Sequence, residues 1–341
     1  MSAPAGAARV LVVRLDSLGD VVVCGPAIRS VAARAGHVTV LAGPRGSDVA
    51  RLLPGVDDVL VFDAPWISAN AGPVDPAAVE DLTAQLRAGR FDAALVLTSF
   101  HQSALPTALL LRLAGVPWIA AVSTDFPGSL LDVRLAEPPD DPEPVRMLAV
   151  AEGAGWPAPP GDDGNLRLRP ALPAVPGLPD RYVVVHPGAD APARSYPEDR
   201  WAEVVRLLDA DGTAVVVTGG PDERALTARV AGAAALDLGG RLGVAELAAV
   251  LAGAEALAVG NTGPAHLAAA VGTPVVSLFA PVVPLIRWAP HTSARVVLGD
   301  QTAPCAGTRA RACPVPGHPC LSGVTPAHVA AAVRDLVGVA A

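Results

Sequence analysis

The 341-residue sequence contains no lysine; all 25 of its basic side chains are arginine. That absence excludes a protein Schiff base, a lysine-held cofactor aldimine and a P-loop. Any phosphate bound here must be met by Arg, His, hydroxyls and backbone N–H groups. Cysteine is scarce too: Cys24, Cys305, Cys313 and Cys320 are too few for a disulfide scaffold. Aromatic residues are 4% of the chain, so the core must be built from aliphatics. No apolar run reaches the ~20 residues of a spanning helix, which predicts no stable membrane insertion. The opening segment, residues 1–8, lacks the basic and apolar regions of a secretory signal, and a cytoplasmic location is expected.

The charge that is present is mostly negative. The net charge is −8. Residues 1–170 hold 13 Arg against 19 Asp and Glu, a balance of −6, and the remainder holds 12 against 14, a balance of −2. An acidic surface is a poor partner for nucleic acid and for an anionic lipid surface. It suits an uncharged or cationic soluble partner.

Short β-branched runs alternate with Ala- and Leu-rich helical patterns. Strands are expected at 10–13, 38–41, 59–62, 93–97 and 119–122, with helices near 26–35, 47–53, 76–88 and 105–114. A Pro- and Gly-dense stretch, 156–180, breaks the series and contains a short extended piece at 166–168. A second series has strands at 182–186, 214–218, 257–259 and 275–279, and helices near 198–208, 221–231, 244–252 and 264–271. A closing helix follows at 325–337, with Thr325 as N-cap and Pro326 at its first position. Such alternation implies parallel sheets covered on both faces. The division expected is a first domain at 1–170, a linker at 171–180 and a second domain at 181–341. A cleft between two such domains, beyond the carboxyl ends of the strands, is where a ligand is expected.

Four segments could carry chemistry. Arg14-Leu15-Asp16-Ser17-Leu18-Gly19-Asp20 follows the first strand. Ser17 and Gly19 can present backbone N–H groups there, and Asp20 reads either as a helix cap, which the residue pattern alone favours, or as a functional carboxylate. The G-x-G-x-x-G dinucleotide fingerprint is absent, which argues against a dehydrogenase. His186-Pro187-Gly188-Ala189-Asp190 leads to Arg194, either a solvated loop charge or an anion contact, while His186 reads as a core-edge residue or part of a polar mouth. Thr218-Gly219-Gly220-Pro221-Asp222-Glu223 is a strand-to-helix turn. Its Glu223 either complements the helix dipole or accepts from a ribose diol. Gly260-Asn261-Thr262-Gly263-Pro264-Ala265-His266 runs from a strand into an Ala-rich helix. It reads as a capped tight turn, or as an anion site of backbone N–H groups and a positive helix end, with Thr262 and His266 adding side-chain donors.

In this order and spacing, the segments resemble glycosyltransferase family 9, the ADP-heptose heptosyltransferases. The likeness spans nearly the whole chain: SLGD at 17–20, HPGA at 186–189, RSYPEDRW at 194–201, TGGPDE at 218–223, GNTGPAHLAAAVGTPVV at 260–276 and the Cys-containing tail. The resemblance implies an α/β GT-B fold, two facing Rossmann-like domains with parallel sheets and a cleft between them. It implies an inverting enzyme without metal or cofactor, taking a nucleotide-sugar donor, most simply ADP-heptose, and a glycoside acceptor bound by the first domain. Asp20 matches the family's general base. Arg194, Thr262, Gly263 and His266 match positions around the donor diphosphate, Asn261 the donor-sugar position and Glu223 the ribose contact, while Ser17 and Gly19 belong to the acceptor-side loop.

Two departures stand out. Arg194 occupies a position that is usually Lys, which keeps the charge and adds a bidentate fork. Asn261 occupies a position that is usually Asp, which puts the donor sugar's identity in question and leaves open a non-catalytic nucleotide-sugar-binding module. Cys305, Cys313 and Cys320 with His318 lack a C-x-x-C pair, and a loop of reduced thiols is the expectation over a zinc site. The acidic first domain points to a neutral or cationic acceptor, such as an aminoglycoside or nucleoside intermediate of antibiotic biosynthesis. A lipopolysaccharide or other cell-envelope glycan is the alternative.

Overall fold

The protein is described from a computed structural model covering residues 6–67, 72–99 and 101–340; most of the 1–8 segment lies outside these. The chain divides into two compact units, Met1–Arg169 and Pro170–Ala341.

The first unit is a six-stranded parallel sheet in the order β3-β2-β1-β4-β5-β6. Its strands are β1 (Arg9–Arg14), β2 (His37–Ala42), β3 (Asp58–Val61), β4 (Ala93–Val96), β5 (Ile119–Val122) and β6 (Val133–Leu135). Its helices are α1 (Leu18–Val22), α2 (Gly25–Ala32), α3 (Ser47–Ala50), α4 (Pro76–Gly89), α5 (Leu105–Leu113) and α6 (Glu143–Gly153). Successive strand side chains point to opposite faces. In β1, Leu11 and Val13 join a core with Leu82 and Leu86 of α4 and Ala108 and Leu111 of α5. Val10 and Val12 are equally buried on the other face. Burial on both faces explains why the strands read as unbroken apolar runs.

The five expected strands appear within a residue or two at each end. The sequence did not announce β6 or α6: β6 is a three-residue edge strand, and α6 opens amid four prolines, with Pro144 tolerated in its first turn. The helix expected at 47–53 is a single turn, α3. The 166–168 piece joins no sheet. Much of the Pro-rich stretch is fastened to the first unit rather than spanning two. Trp156 packs edge-on to Trp118, with centroids 5.2 Å apart. Arg29 forks onto Asp162 at 2.6 and 2.7 Å, and the Arg169 N–H donates to Leu52 O at 2.8 Å.

The second unit repeats the topology, in the order β12-β11-β10-β7-β8-β9. Its strands are β7 (Val183–His186), β8 (Val215–Val217), β9 (Leu236–Asp237), β10 (Leu257–Gly260), β11 (Val275–Leu278) and β12 (Arg295–Leu298). The helices are α7 (Glu198–Ala210), α8 (Arg224–Ala231), α9 (Val244–Ala252), α10 (Gly263–Val271), α11 (Leu285–Trp288), α12 (Pro319–Ser322) and α13 (Pro326–Ala340). The helix expected at 221–231 begins as a 3-10 turn, Pro221–Glu223. Thr325 caps α13, accepting the His328 N–H on Oγ1 at 3.2 Å. Trp201 of α7 is the largest fully buried side chain; Tyr196 meets it edge-on at 5.2 Å.

Both sheets reverse strand order at their centre, between β1 and β4 and between β7 and β10. At such a point neighbouring loops diverge and open a crevice at the strands' carboxyl ends. All four motif segments follow strands that border these points or lie one strand away.

Trp201→Ala is expected to cost about 3–5 kcal/mol, read as a lower urea midpoint by far-UV circular dichroism. A change within the error of the midpoint would show that α7 is not central to the second core.

Candidate functional site

In the first unit the site is organised by Arg14, the last residue of β1 and fully buried. It lies on the same sheet face as Val10 and Val12, and its Nη1 meets Met147 Sδ of α6 at 3.5 Å. Its Nη2 donates to Asp20 Oδ1 at 3.1 Å and to Ser99 Oγ at 2.9 Å. Its Nε lies 2.8 Å from Asp16 Oδ2, an ion pair without hydrogen-bond alignment. Burial works against the guanidinium charge, but Asp16, Cys24, Asp20 and Glu143 outweigh it and raise the pKa above its ordinary value. Burial pushes the Asp16 carboxyl up, opposed by Arg14, and pushes the Cys24 thiol up to about 12.

Asp20 is the third residue of α1, with its side chain 19% exposed. Its Oδ2 accepts the Ser17 hydroxyl at 2.8 Å and the Ser17 N–H at 3.3 Å. The Ser17 N–H is therefore committed to Asp20 rather than offered to a ligand. Gly19 is buried within α1, and its carbonyl accepts the Val23 N–H. Asp20 is both a helix-start acceptor, the reading the residue pattern favours, and a partly exposed carboxylate anchored to a buried cation.

In the second unit, the register sets His186 opposite Val259, so the loops after β7 and β10 leave side by side. His186 is buried; its Nδ1 lies 3.0 Å from Thr218 Oγ1 and its Nε2 3.9 Å from Glu223 Oε2. Glu223 accepts the Gly220 N–H at 2.7 Å. Its carboxylate lies against Gly188 so closely that a Cβ there would fall 1.9 Å from Oε1. Arg194 is brought to the β10 loop: its backbone carbonyl passes over Gly260, 3.1 Å from where a Cβ would stand. Its Nη1 donates to Asn261 O at 3.3 Å.

Asn261 is buried and turns its amide toward Ala280, donating to the carbonyl at 3.5 Å and accepting the N–H at 3.4 Å. A carboxylate could accept from Ala280 but would face its carbonyl as a like dipole, so Asn suits this pairing better than Asp. Thr262 is the N-cap of α10 in extended geometry, and its hydroxyl makes no capping bond. Gly263 opens the helix. His266, in the first turn and buried, meets Trp288 edge-on at 6.4 Å.

The four segments thus gather as two groups, one around Arg14 and Asp20 and one around Arg194, Glu223, Asn261 and Thr262. Sequence reasoning did not assign Arg14, Asp16, Ser99, Gln102 or Trp288. An arginine ending an apolar strand, with Asp two and six residues on, was a visible signal; Ser99 and Gln102, from the loop after β4, had none. The four cysteines are free thiols, and burial pushes Cys320 up to about 11. No cluster of described residues is arranged to hold a metal ion.

Arg14→Met strands two carboxylates and should destabilise the protein by about 3–5 kcal/mol, read by urea denaturation; wild-type stability would show that the network is not holding the loop. Burial lowers the His186 pKa below its ordinary 6.5, against an opposing pull from Glu223. As pH falls through that ordinary value the unfolded chain takes the proton first, so stability present above it is lost below it. The melting temperature should therefore drop between about pH 7 and 5 more steeply in the wild type than in His186→Gln. Parallel curves would remove His186 from that role.

The family Glycosyltransferase family 9 (heptosyltransferase) matches residues 79–318. Lipopolysaccharide heptosyltransferase 1 of Pseudomonas aeruginosa is 30% identical over 335 residues, 89% of this chain and 87% of that protein. A solved glycosyl transferase family 9 structure from Veillonella parvula has a TM-score of 0.80 at 18% identity, covering 99% of both chains. The E. coli ADP-heptose lps heptosyltransferase II has a TM-score of 0.75 at 21% identity, covering 97% of this chain and 99% of that one. At these identities the solved structures establish the fold, GT-B, with its two Rossmann-like units. No helix among the described residues is long and apolar enough to cross a membrane. The family match over most of the chain, together with a relative this similar along nearly its full length, shows that the protein belongs to glycosyltransferase family 9, the heptosyltransferases.

Proposed function

We propose that the protein is an inverting, metal-independent glycosyltransferase that moves a heptose from ADP-heptose to a hydroxyl of a glycoside acceptor, in the cytoplasm. The observation that carries this reading is the Asp20 carboxylate, partly exposed beside the switch point of the first sheet and held 3.1 Å from a buried guanidinium. Asp20 takes the proton of the acceptor hydroxyl as that oxygen attacks the anomeric carbon. The C–O bond to the diphosphate breaks on the opposite side, and the nucleoside diphosphate leaves with the electron pair. The Arg14 contact at 3.1 Å fixes the direction of the Asp20 carboxylate, as a general base requires.

The first unit is the acceptor domain and the second the donor domain. Arg194, Thr262, Gly263, His266 and the α10 N-terminus balance the charge that develops on the diphosphate. Glu223 holds the ribose diol while keeping one bond to Gly220. Asn261 meets the donor sugar by exchanging its long bonds to Ala280. The ADP-heptose donor is supported by the name of the E. coli structure of the same fold.

The acceptor separates two readings. The −6 balance of the first 170 residues favours a neutral or cationic glycoside, as in an aminoglycoside or nucleoside pathway. The name of the Pseudomonas relative favours lipopolysaccharide. Assays with ADP-heptose against both acceptor types decide: turnover only on lipid core overturns the first.

Asp20→Asn should lower turnover on the order of 10²–10⁴-fold while the thermal shift produced by ADP persists. Full activity in the variant would remove Asp20 as base. Wild-type protein that binds ADP but never consumes donor would instead be a binding module. ADP should stabilise the protein more than UDP or GDP; equal shifts would overturn the adenine assignment. Arg194→Ala should cost on the order of 10²-fold in rate.

A further inference from the structure

A cavity of about 150 Å³ lies over the carboxyl ends of β4, β5 and β6, beside the switch point of the first sheet. It is well below the range for drug-sized ligands and suits a single ring. Its walls carry five hydroxyl side chains, among them Ser99, Ser123 and Thr124, with the Gln102 amide and the Asp125 and Glu137 carboxylates. The cavity is wired to the Asp20 network. Ser99 Oγ, in its wall, accepts from the same Arg14 Nη2 that holds Asp20. Gln102 donates to Asp16, and the Ser99 N–H donates to Gln102 Oε1 at 3.0 Å.

The nearby cations are committed elsewhere. Arg14 is fully buried among its carboxylates. Arg146 is 2% exposed and spent on Glu137, Glu143 and the carbonyls of Pro138 and Pro139. Arg134 donates to the backbone carbonyls of Ser123 and Thr124. The first amide of α5, at Leu105, is taken by Ser103 Oγ at 3.3 Å. His101 is the one lining residue able to carry positive charge, while no ion pair among the described residues reaches Asp125. Next to Asp125 in the chain, Phe126 is 86% exposed, an unusual place for a large apolar ring and a fitting one for the C–H face of a sugar.

We propose that this cavity is the subsite for the acceptor's sugar ring, and that it admits a neutral or amine-bearing sugar and rejects one carrying phosphate or carboxylate. Dense hydroxyl and amide groups satisfy sugar hydroxyls, which both donate and accept. An anion there would face the Asp125 carboxylate, while Glu137 and Arg146 neutralise each other and no uncommitted guanidinium among the described residues lines the cavity. The proposal rests on the reading of Asp20 as the base.

Ligand-observed NMR on the full chain tests it without a donor. The probes are methyl α-glucopyranoside, glucosamine, glucose 6-phosphate and glucuronic acid. The first two should show saturation transfer and the last two none. Thr124→Trp, which fills the cavity, should abolish the signal while leaving the ADP thermal shift intact, and Phe126→Ala should weaken it severalfold. Asp125→Arg should admit glucose 6-phosphate. Binding of the anionic probes to wild type, or sugar binding untouched by Thr124→Trp, would overturn the subsite. Two outcomes separate this proposal from the transferase reading. If ADP-heptose is consumed only with phosphorylated acceptors, the subsite fails and the transferase stands. If the neutral sugars bind but no ADP-heptose is ever consumed, the transferase fails and the sugar site stands.

Discussion

One buried positive charge organises the first unit. Arg14 ends an apolar strand and has no contact with water, so its guanidinium must be compensated within the protein. Two carboxylates from the next six residues do this, and Ser99 and Met147 complete the shell. A buried charge is tolerable only with such partners. The consequence is geometric: the loop after β1 cannot drift without uncovering the charge, and Asp20 is held where that loop turns into α1. The same arrangement ties the loop after β4 to the loop after β1, because Ser99 shares one guanidinium nitrogen with Asp20. The position of Asp20 and the shape of the adjoining cavity are therefore coupled through a single side chain.

The second unit solves its positioning problem by close approach rather than by buried charge. Gly188 leaves no space for a Cβ because the Glu223 carboxylate fills it, and Gly260 lets the backbone of Arg194 pass overhead. These two glycines bring side chains from three separate loops to one end of the sheet. The N-terminus of α10, without a side-chain cap from Thr262, adds oriented N–H groups to that end. In a chain without lysine the cation at this end is Arg194, whose guanidinium donates to the Asn261 carbonyl.

Much of the layout was legible because buried parallel strands and amphipathic helices have different periods. Most strands of the two sheets were readable where β-branched residues ran together. The pieces that escaped, β6, β9, β12, α1, α6, α11 and α12, are short or masked by proline. The packing of the Pro- and Gly-dense stretch 156–180 stayed hidden for a related reason. Low periodicity marks a lack of repeating structure, not a lack of contacts, and Trp156, Asp162 and Arg169 fasten the first half of that stretch to the first unit. At the site, Asp20, Arg194, Glu223, Asn261, Thr262 and His266 stood out by their turns. The side-chain direction of Asn261, toward Ala280, depends on the loop after β11, nineteen residues away.

The sequence by itself determined the fold class, the two-unit organisation, the absence of lysine chemistry and the motifs at strand ends, since these rest on local pattern and residue identity. Only the tertiary structure decided which groups share a charge. Arg14 meets Ser99 across 85 positions, and the cavity beside them is built from three strand ends that no local window contains. Electrostatic compensation and cavity shape arise from packing between distant segments, so they become visible only once the chain is folded.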